Sequence, residues 1–118
     1  MSNRLLFAAM AVLALAGCAS DPAPNEQMRL TEQALEQAKA VGATAEDVPE
    51  MKLAEDKFNR AKGSMAGESY KNARMRFEQA ELDARLAEAK VLTQKSEEQV
   101  NVLNTRIVRL RKQLGNAQ

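Results

Sequence analysis

From Asn25 onward, apolar residues recur at helical spacing in three separate stretches. In the first, Met28, Thr31, Leu35 and Ala38 fall at 3-4-3 intervals, flanked by Leu30, Ala34 and Val41. This predicts a helix from Asn25 or Glu26 to about Val41, stopped by Gly42 and followed by a loop over 42–48. Pro49 then stands at the first position of a second helix, where its missing N–H costs nothing. That helix carries Met51, Ala54, Phe58, Ala61 and Met65, and Gly63 and Gly67 weaken its end, which puts a turn at 66–69. A third helix begins near Ser69, a residue suited to capping it, and meets no breaker before Gly115. Its stripe is Ala73, Phe77, Ala80, Ala84, Ala87 and Val91.

Folding the chain about the 66–69 turn brings the last two stripes together. Met65 falls opposite Tyr70, Ala61 near Ala73, Phe58 opposite Phe77, Ala54 near Ala80 and Met51 near Ala84. The pattern predicts an antiparallel hairpin with a close, alanine-lined interface. A further stripe on the third helix, Met75, Leu82, Leu86 and Ala89, is expected to be covered by the first helix. The fold class is therefore all-α, a three-helix bundle in up-down-up order. Its lengths do not balance: the first two helices each reach about 25 Å, whereas the third, at about 45 residues, reaches roughly 67 Å.

The surplus, from Thr93 to Leu114, is expected to protrude as a coiled-coil-like rod. Val100, Ile107 and Leu114 take heptad position a, and Leu103 and Leu110 take d. β-Branched residues at a with Leu at d favour two parallel strands. Packing of this seam on its own bundle is the alternative, but the first two helices look too short to reach it, so self-association or a partner helix is expected. The preceding seam positions, Thr93 and Ser96, are polar, and parallel copies bring Arg106 at g against Arg111 at e. A parallel homodimer is thus weak, and an acidic partner helix or another register suits better.

Composition narrows the chemistry. The chain has 118 residues, 17 Lys plus Arg against 16 Asp plus Glu, no His and one Cys. Near-zero net charge removes the electrostatic case for a nucleic-acid partner. Without His or a pair of thiols, no metal site, cofactor site or nucleophile–base dyad is expected. Glu50, Glu55 and Asp56 are expected on an exposed part of the second helix, with no apolar pocket to raise a pKa, so a non-enzymatic role is expected. Lys71, Arg74 and Arg76 beside Glu78, Glu81 and Asp83 read as a solvated face with i,i+4 pairing. Arg106, Arg109, Arg111 and Lys112 make the last turns basic. They read either as a contact for anionic envelope polymer or lipid headgroups, or as cations favoured by the helix dipole, and the dipole is the preferred explanation.

At the other end, Arg4 precedes an apolar run to Ala16, shorter than the ~20 residues of a membrane span. The run ends in Leu15-Ala16-Gly17-Cys18, which resembles the bacterial lipoprotein signal, the lipobox. The resemblance implies cleavage before Cys18, diacylglycerol on its thiol and an acyl chain on the new amino terminus. Loss of residues 1–17, which hold Arg4 and no acid, leaves 101 residues with 16 basic and 16 acidic side chains. Thioether formation also disposes of a sole cysteine in an oxidising compartment. Ala19 stands where Asp retains such proteins at the inner membrane, which implies the outer membrane, periplasmic side. Residues 18–25, with Pro22 and Pro24, read as a tether. The final residue is Gln118, not the Lys through which Braun-type lipoprotein joins peptidoglycan, so attachment by that route is not expected.

Between Val48-Pro49-Glu50 and Ala89, the spacing of Ala54, Ala61, Tyr70, Ala73, Ala80, Asp83-Ala84 and Leu86-Ala87 resembles the DUF4398 family. With the first helix and Gly42-Ala43, the likeness covers about residues 26–92. It implies a small alanine-rich helical domain of a bacterial lipoprotein, here without the OmpA-like peptidoglycan-binding domain of some members. Gly67-x-x-Tyr70-x-x-Ala73 also resembles a tetratricopeptide turn, but a single hairpin is not an array. The expected organisation is a signal peptide (1–17), lipidated Cys18 and tether (18–25), bundle (26–92) and protruding helix (93–118). The expected function is a lipid-anchored envelope protein that presents a helical interaction surface to itself or another envelope protein. A spacer touching peptidoglycan or anionic polymer is the alternative. A lipid or small-ligand carrier ranks last, because an alanine-lined core leaves little cavity.

Overall fold

The computed structural model describes residues 21–117, which form α1 (Asn25–Ala40), α2 (Pro49–Ala66) and α3 (Tyr70–Asn116). The proposed signal and lipidation residues, Leu15, Ala16, Gly17 and Cys18, lie outside the described residues. Pro24 occupies the position before α1 and is buried, so the end of the expected tether belongs to the folded unit. Pro49 opens α2 at its first turn as the sequence predicts.

The two interhelical turns share one backbone device. After α1, Gly42 takes φ +98°; its N–H donates to Lys39 O at 2.9 Å and the Ala43 N–H donates to Ala38 O at 2.9 Å. This 5→2 and 6→1 pair satisfies carbonyls that the helix end leaves open. After α2 the same pair recurs, Glu68 N–H to Met65 O at 3.0 Å and Ser69 N–H to Ser64 O at 2.9 Å. Here the left-handed residue is Glu68, at φ 56°, and Gly67 sits one position too early with φ −84°. Ser69 does not cap α3 with its side chain as expected. Its Oγ instead accepts from Asn72 Nδ2 at 2.8 Å, which diverts the oxygen from the backbone N–H groups.

Both short helices lie on α3, in up-down-up order. Phe58 of α2 and Phe77 of α3 stack at 5.5 Å between centroids, tilted by 55°. Lys57 Nζ reaches Asp83 at 2.6 Å, and Lys90 pairs with Glu50, so α2 runs antiparallel to α3. α1 runs parallel to α3: Ala23 and Pro24 lie near Arg74 and Glu78, while Val41 O accepts from Lys95 Nζ at 2.6 Å. The core is the predicted set of stripes with the flanking Ala34 and with Ala43 added, while Met28 and Met65 are only partly buried against it. Thr31 is fully buried, and its hydroxyl lies 2.8 Å from Gln27 O and 3.0 Å from Phe77 O, so one proton is shared between a local carbonyl and a carbonyl of α3.

A further expectation fails. Met75, Leu82 and Leu86 are 49%, 66% and 48% exposed, and Ala89 is exposed as well. α1 does not cover this second stripe. It shares the Ala73–Val91 face with α2, because alanines let two backbones approach one face of α3 closely from either side. Past Val91, every described residue of α3 is exposed. The 47-residue helix spans about 70 Å, and its second half is a free rod.

Candidate interaction surface

The rod places the five predicted seam residues on one side of a single helix. Val100, Leu103, Ile107, Leu110 and Leu114 are 45–71% exposed, so nothing in the described chain covers them. Lys95 is the last residue of α3 that reaches back to the bundle, through Val41 O. The expectation that the short helices stop below the seam is met.

The exposed second stripe changes the extent of this surface. Counting heptads back from Val100, Leu86 falls at a, and Leu82, Ala89 and Met75 fall at d, in phase with the rod seam. The core residues of α3, from Ala73 to Val91, fall at b and f, on the opposite side. α3 thus carries two apolar faces: an alanine face that the bundle buries, and a Leu, Ile and Val face left open from Met75 to Leu114. Only Gln79, Thr93 and Ser96 interrupt the open one. Sequence periodicity contained both faces, but the continuity of the open one emerges only once α1 is placed elsewhere.

Charge is arranged differently along the two parts. Beside the bundle, several acidic residues are engaged. Glu81 accepts from Arg85 Nη2 at 2.7 Å and from Gln27 Nε2 at 2.7 Å, and these partners hold its carboxyl below the ordinary range. The Lys90 ammonium and the local backbone do the same for Glu50. The expected solvated face is therefore partly a set of interhelical clamps, with Asp83 and Glu81 tied to α2 and α1. Glu50 and Glu55 are not on an open surface either; they bridge to Lys90 and Lys39, the latter at 2.9 Å. The downward shift at Glu50 is opposite to what a general acid needs. Arg106, Arg109, Arg111 and Lys112 are exposed and make no ion pair with any described residue. At heptad positions g, c, e and f they surround the rod and do not form one patch.

Concave features are shallow. The groove between α1 and α2 is floored by Leu35 and Phe58 and rimmed by Glu32, Glu36, Lys39, Glu55 and Lys62, with the Lys62 ammonium 4.8 Å from the Phe58 ring centre. Among the described residues there is no group of three or more His, Cys, Asp or Glu placed to hold a metal ion. None of the described helices is long and apolar enough to cross a membrane.

A short alanine-packed three-helix bundle whose final helix runs on as an exposed, heptad-patterned rod defines the class of protein. The chain belongs to the DUF4398 family: it matches the family described as "Domain of unknown function (DUF4398)" over residues 26–103. That match extends past the bundle into the first half of the rod seam. The chain is also similar to the crystal structure of a DUF4398 family protein from Pseudomonas aeruginosa PAO1, at 67% identity and a TM-score of 0.79. The similarity covers 82% of this chain and 100% of that one. No curated protein matches the sequence.

Proposed function

We propose that this protein is a non-enzymatic, lipid-anchored envelope protein whose bundle holds out a helical rod for protein–protein interaction. The observation that carries the reading is the uncovered seam Val100–Leu103–Ile107–Leu110–Leu114, which has the composition of a coiled-coil core and lies beyond the reach of α1 and α2. The Leu15-Ala16-Gly17-Cys18 motif supplies the anchor in this reading, and Ala19 after it assigns the protein to the periplasmic side of the outer membrane. Because α1 runs parallel to α3, a tether entering at Asp21 leaves the rod tip at the far end of the molecule from the lipid.

Two measurements test the parts separately. Cells fed labelled palmitate are expected to yield a labelled chain that stays with the membrane fraction, and Cys18→Ser is expected to abolish the label. A photo-crosslinking residue at Leu103 is expected to capture a protein, whereas the same residue at Thr105, on the far side of the rod, is not. An unlabelled wild-type chain refutes the anchor; equal capture at both positions refutes the seam. The second reading, contact with peptidoglycan or anionic polymer, draws on the four unpaired cations of the tip. Sedimentation with purified sacculi that persists after neutralising all four rules that contact out.

A further inference from the structure

We propose that the occupant of the seam is a second copy of the same chain, laid antiparallel so that the two free rods, residues 93–117, overlap along their full length. This rests on the reading of the seam as an interaction surface and specifies its partner. The argument comes from the charges that flank the seam and from the fit of its layers.

Parallel pairing sets each g residue against the e residue of the partner's next heptad. Arg106 then faces the partner's Arg111 twice. Both are like-charge contacts, and no opposite pair in the rod offsets them. Antiparallel pairing sets a against d, e against e and g against g. With the two-fold axis at the level of Thr105, Val100 packs on the partner's Leu110 and Leu103 on the partner's Ile107, each contact occurring twice. Leu114 closes each end over the partner's Ser96, so the polar Thr93 and Ser96 fall at the margins of the overlap, not in its centre. Glu97 meets the partner's Arg111 twice, Gln99 meets the partner's Gln113 twice, and one like-charge contact remains, Arg106 on the partner's Arg106. Two attractions and one repulsion replace two repulsions with no attraction.

The structure leaves room for this arrangement. The seam lies opposite the face on which α1 and α2 sit, and the last buried residue of α3, Val91, lies just below the start of the overlap. The pair is a strut about 100 Å long with a bundle at each end, so the two tethers enter at opposite extremities.

The test uses the full chain in cells, with two differently tagged copies co-expressed, one Val100→Cys and one Leu110→Cys. Both positions are exposed on the rod, so neither substitution disturbs the bundle. Mild oxidation is expected to give a mixed disulfide between the tags in excess of either homodisulfide, since facing a and d positions lie within bridging distance. Adding Arg111→Glu to both copies sets it against the partner's Glu97, and the mixed disulfide is expected to fall several-fold, about tenfold at low salt. Glu97→Arg together with Arg111→Glu is expected to restore it. If Arg111→Glu strengthens association, or if homodisulfides dominate, the rods are parallel and the proposal is wrong. Absence of any disulfide between copies also overturns it, and capture of another protein from Leu103 in the same cells leaves the interaction reading standing with a different partner.

Discussion

Moving one glycine by one position should stabilise the bundle. At the α2–α3 turn the chain needs a left-handed residue, and Glu68 occupies that place at φ 56° while Gly67 beside it sits at φ −84°. A side chain in left-handed conformation costs roughly 1–2 kcal/mol, and glycine there gives back about 0.5–1 kcal/mol of this in the entropy of the unfolded chain. Glu68 is exposed and makes no hydrogen bond or ion pair with a described side chain, so its removal forfeits no contact. Glu68→Gly is therefore expected to stabilise by about 0.5–1 kcal/mol, a rise of about 3–6 °C in the unfolding midpoint for a domain this small. Gly67→Ala should add a similar amount, because its new Cβ would meet Gly63 O at 3.6 Å and Ser64 O at 3.8 Å, ordinary contact distances. Gly42→Ala should act with the opposite sign, since φ +98° strains any side chain. Tyr70, the only Tyr in a chain without Trp, starts α3 beside this turn and reports bundle unfolding by its fluorescence, separately from fraying of the rod. An unchanged or lower midpoint for Glu68→Gly, with Gly42→Ala still destabilising, refutes the reasoning.

Thr31→Val keeps the shape of a fully buried residue but leaves Phe77 O without its partner from α1, so it should cost about 1 kcal/mol in urea unfolding. The carboxyls of Glu50 and Glu81 titrate below their ordinary range in the folded chain, so the stability they contribute is complete at neutral pH. It is lost as pH falls through the ordinary carboxylate range and on through their lower folded values; Glu81→Gln should flatten that part of the stability–pH curve. Ending the chain after Ser96 keeps the Lys95 contact and removes only exposed residues, so the Tyr70-detected midpoint should stay within about 0.5 kcal/mol of the full chain while helix content falls. A larger loss shows that the rod supports the bundle.

The three core stripes were legible because alanine and phenylalanine at 3-4 spacing have one natural use, a close helix–helix contact. The meeting of Phe58 with Phe77 followed from counting outward from the turn. Three features resisted that reading. Met75, Leu82, Leu86 and Ala89 form as clean a stripe as the buried one, and periodicity identifies an apolar face without saying whether another element reaches it. Gly67 marked the turn, but the left-handed position depends on which carbonyls the 6→1 and 5→2 bonds select, and the chain closes the turn one residue later. Thr31 falls in the expected core stripe by spacing alone; its bond to Phe77 O depends on the relative height of α1 and α3, which no local spacing encodes.

The division of labour on α3 also bounds how tightly the rod can bind. Its bundle face is mostly alanine, whereas its Leu, Ile and Val side chains point outward, the reverse of an ordinary amphipathic helix. Fully burying such a side chain gives about 1.5–3 kcal/mol, and the five seam residues are already about half covered by their own helix, which leaves about 1 kcal/mol each. Two copies contribute about 10 kcal/mol in gross terms, against an association cost of about 4–15 kcal/mol and the ordering of a helix that is marginal alone. A pair of free chains in dilute solution therefore sits near the threshold of association. Confinement to a membrane surface raises the effective concentration by orders of magnitude without any new contact. The lipid anchor and the seam are then interdependent: a released, unanchored chain is expected to be mostly monomeric at micromolar concentration in light scattering, while the anchored chain pairs. Tight dimerisation of the unanchored chain at that concentration contradicts this balance and requires burial beyond the rod, along Leu82 and Leu86.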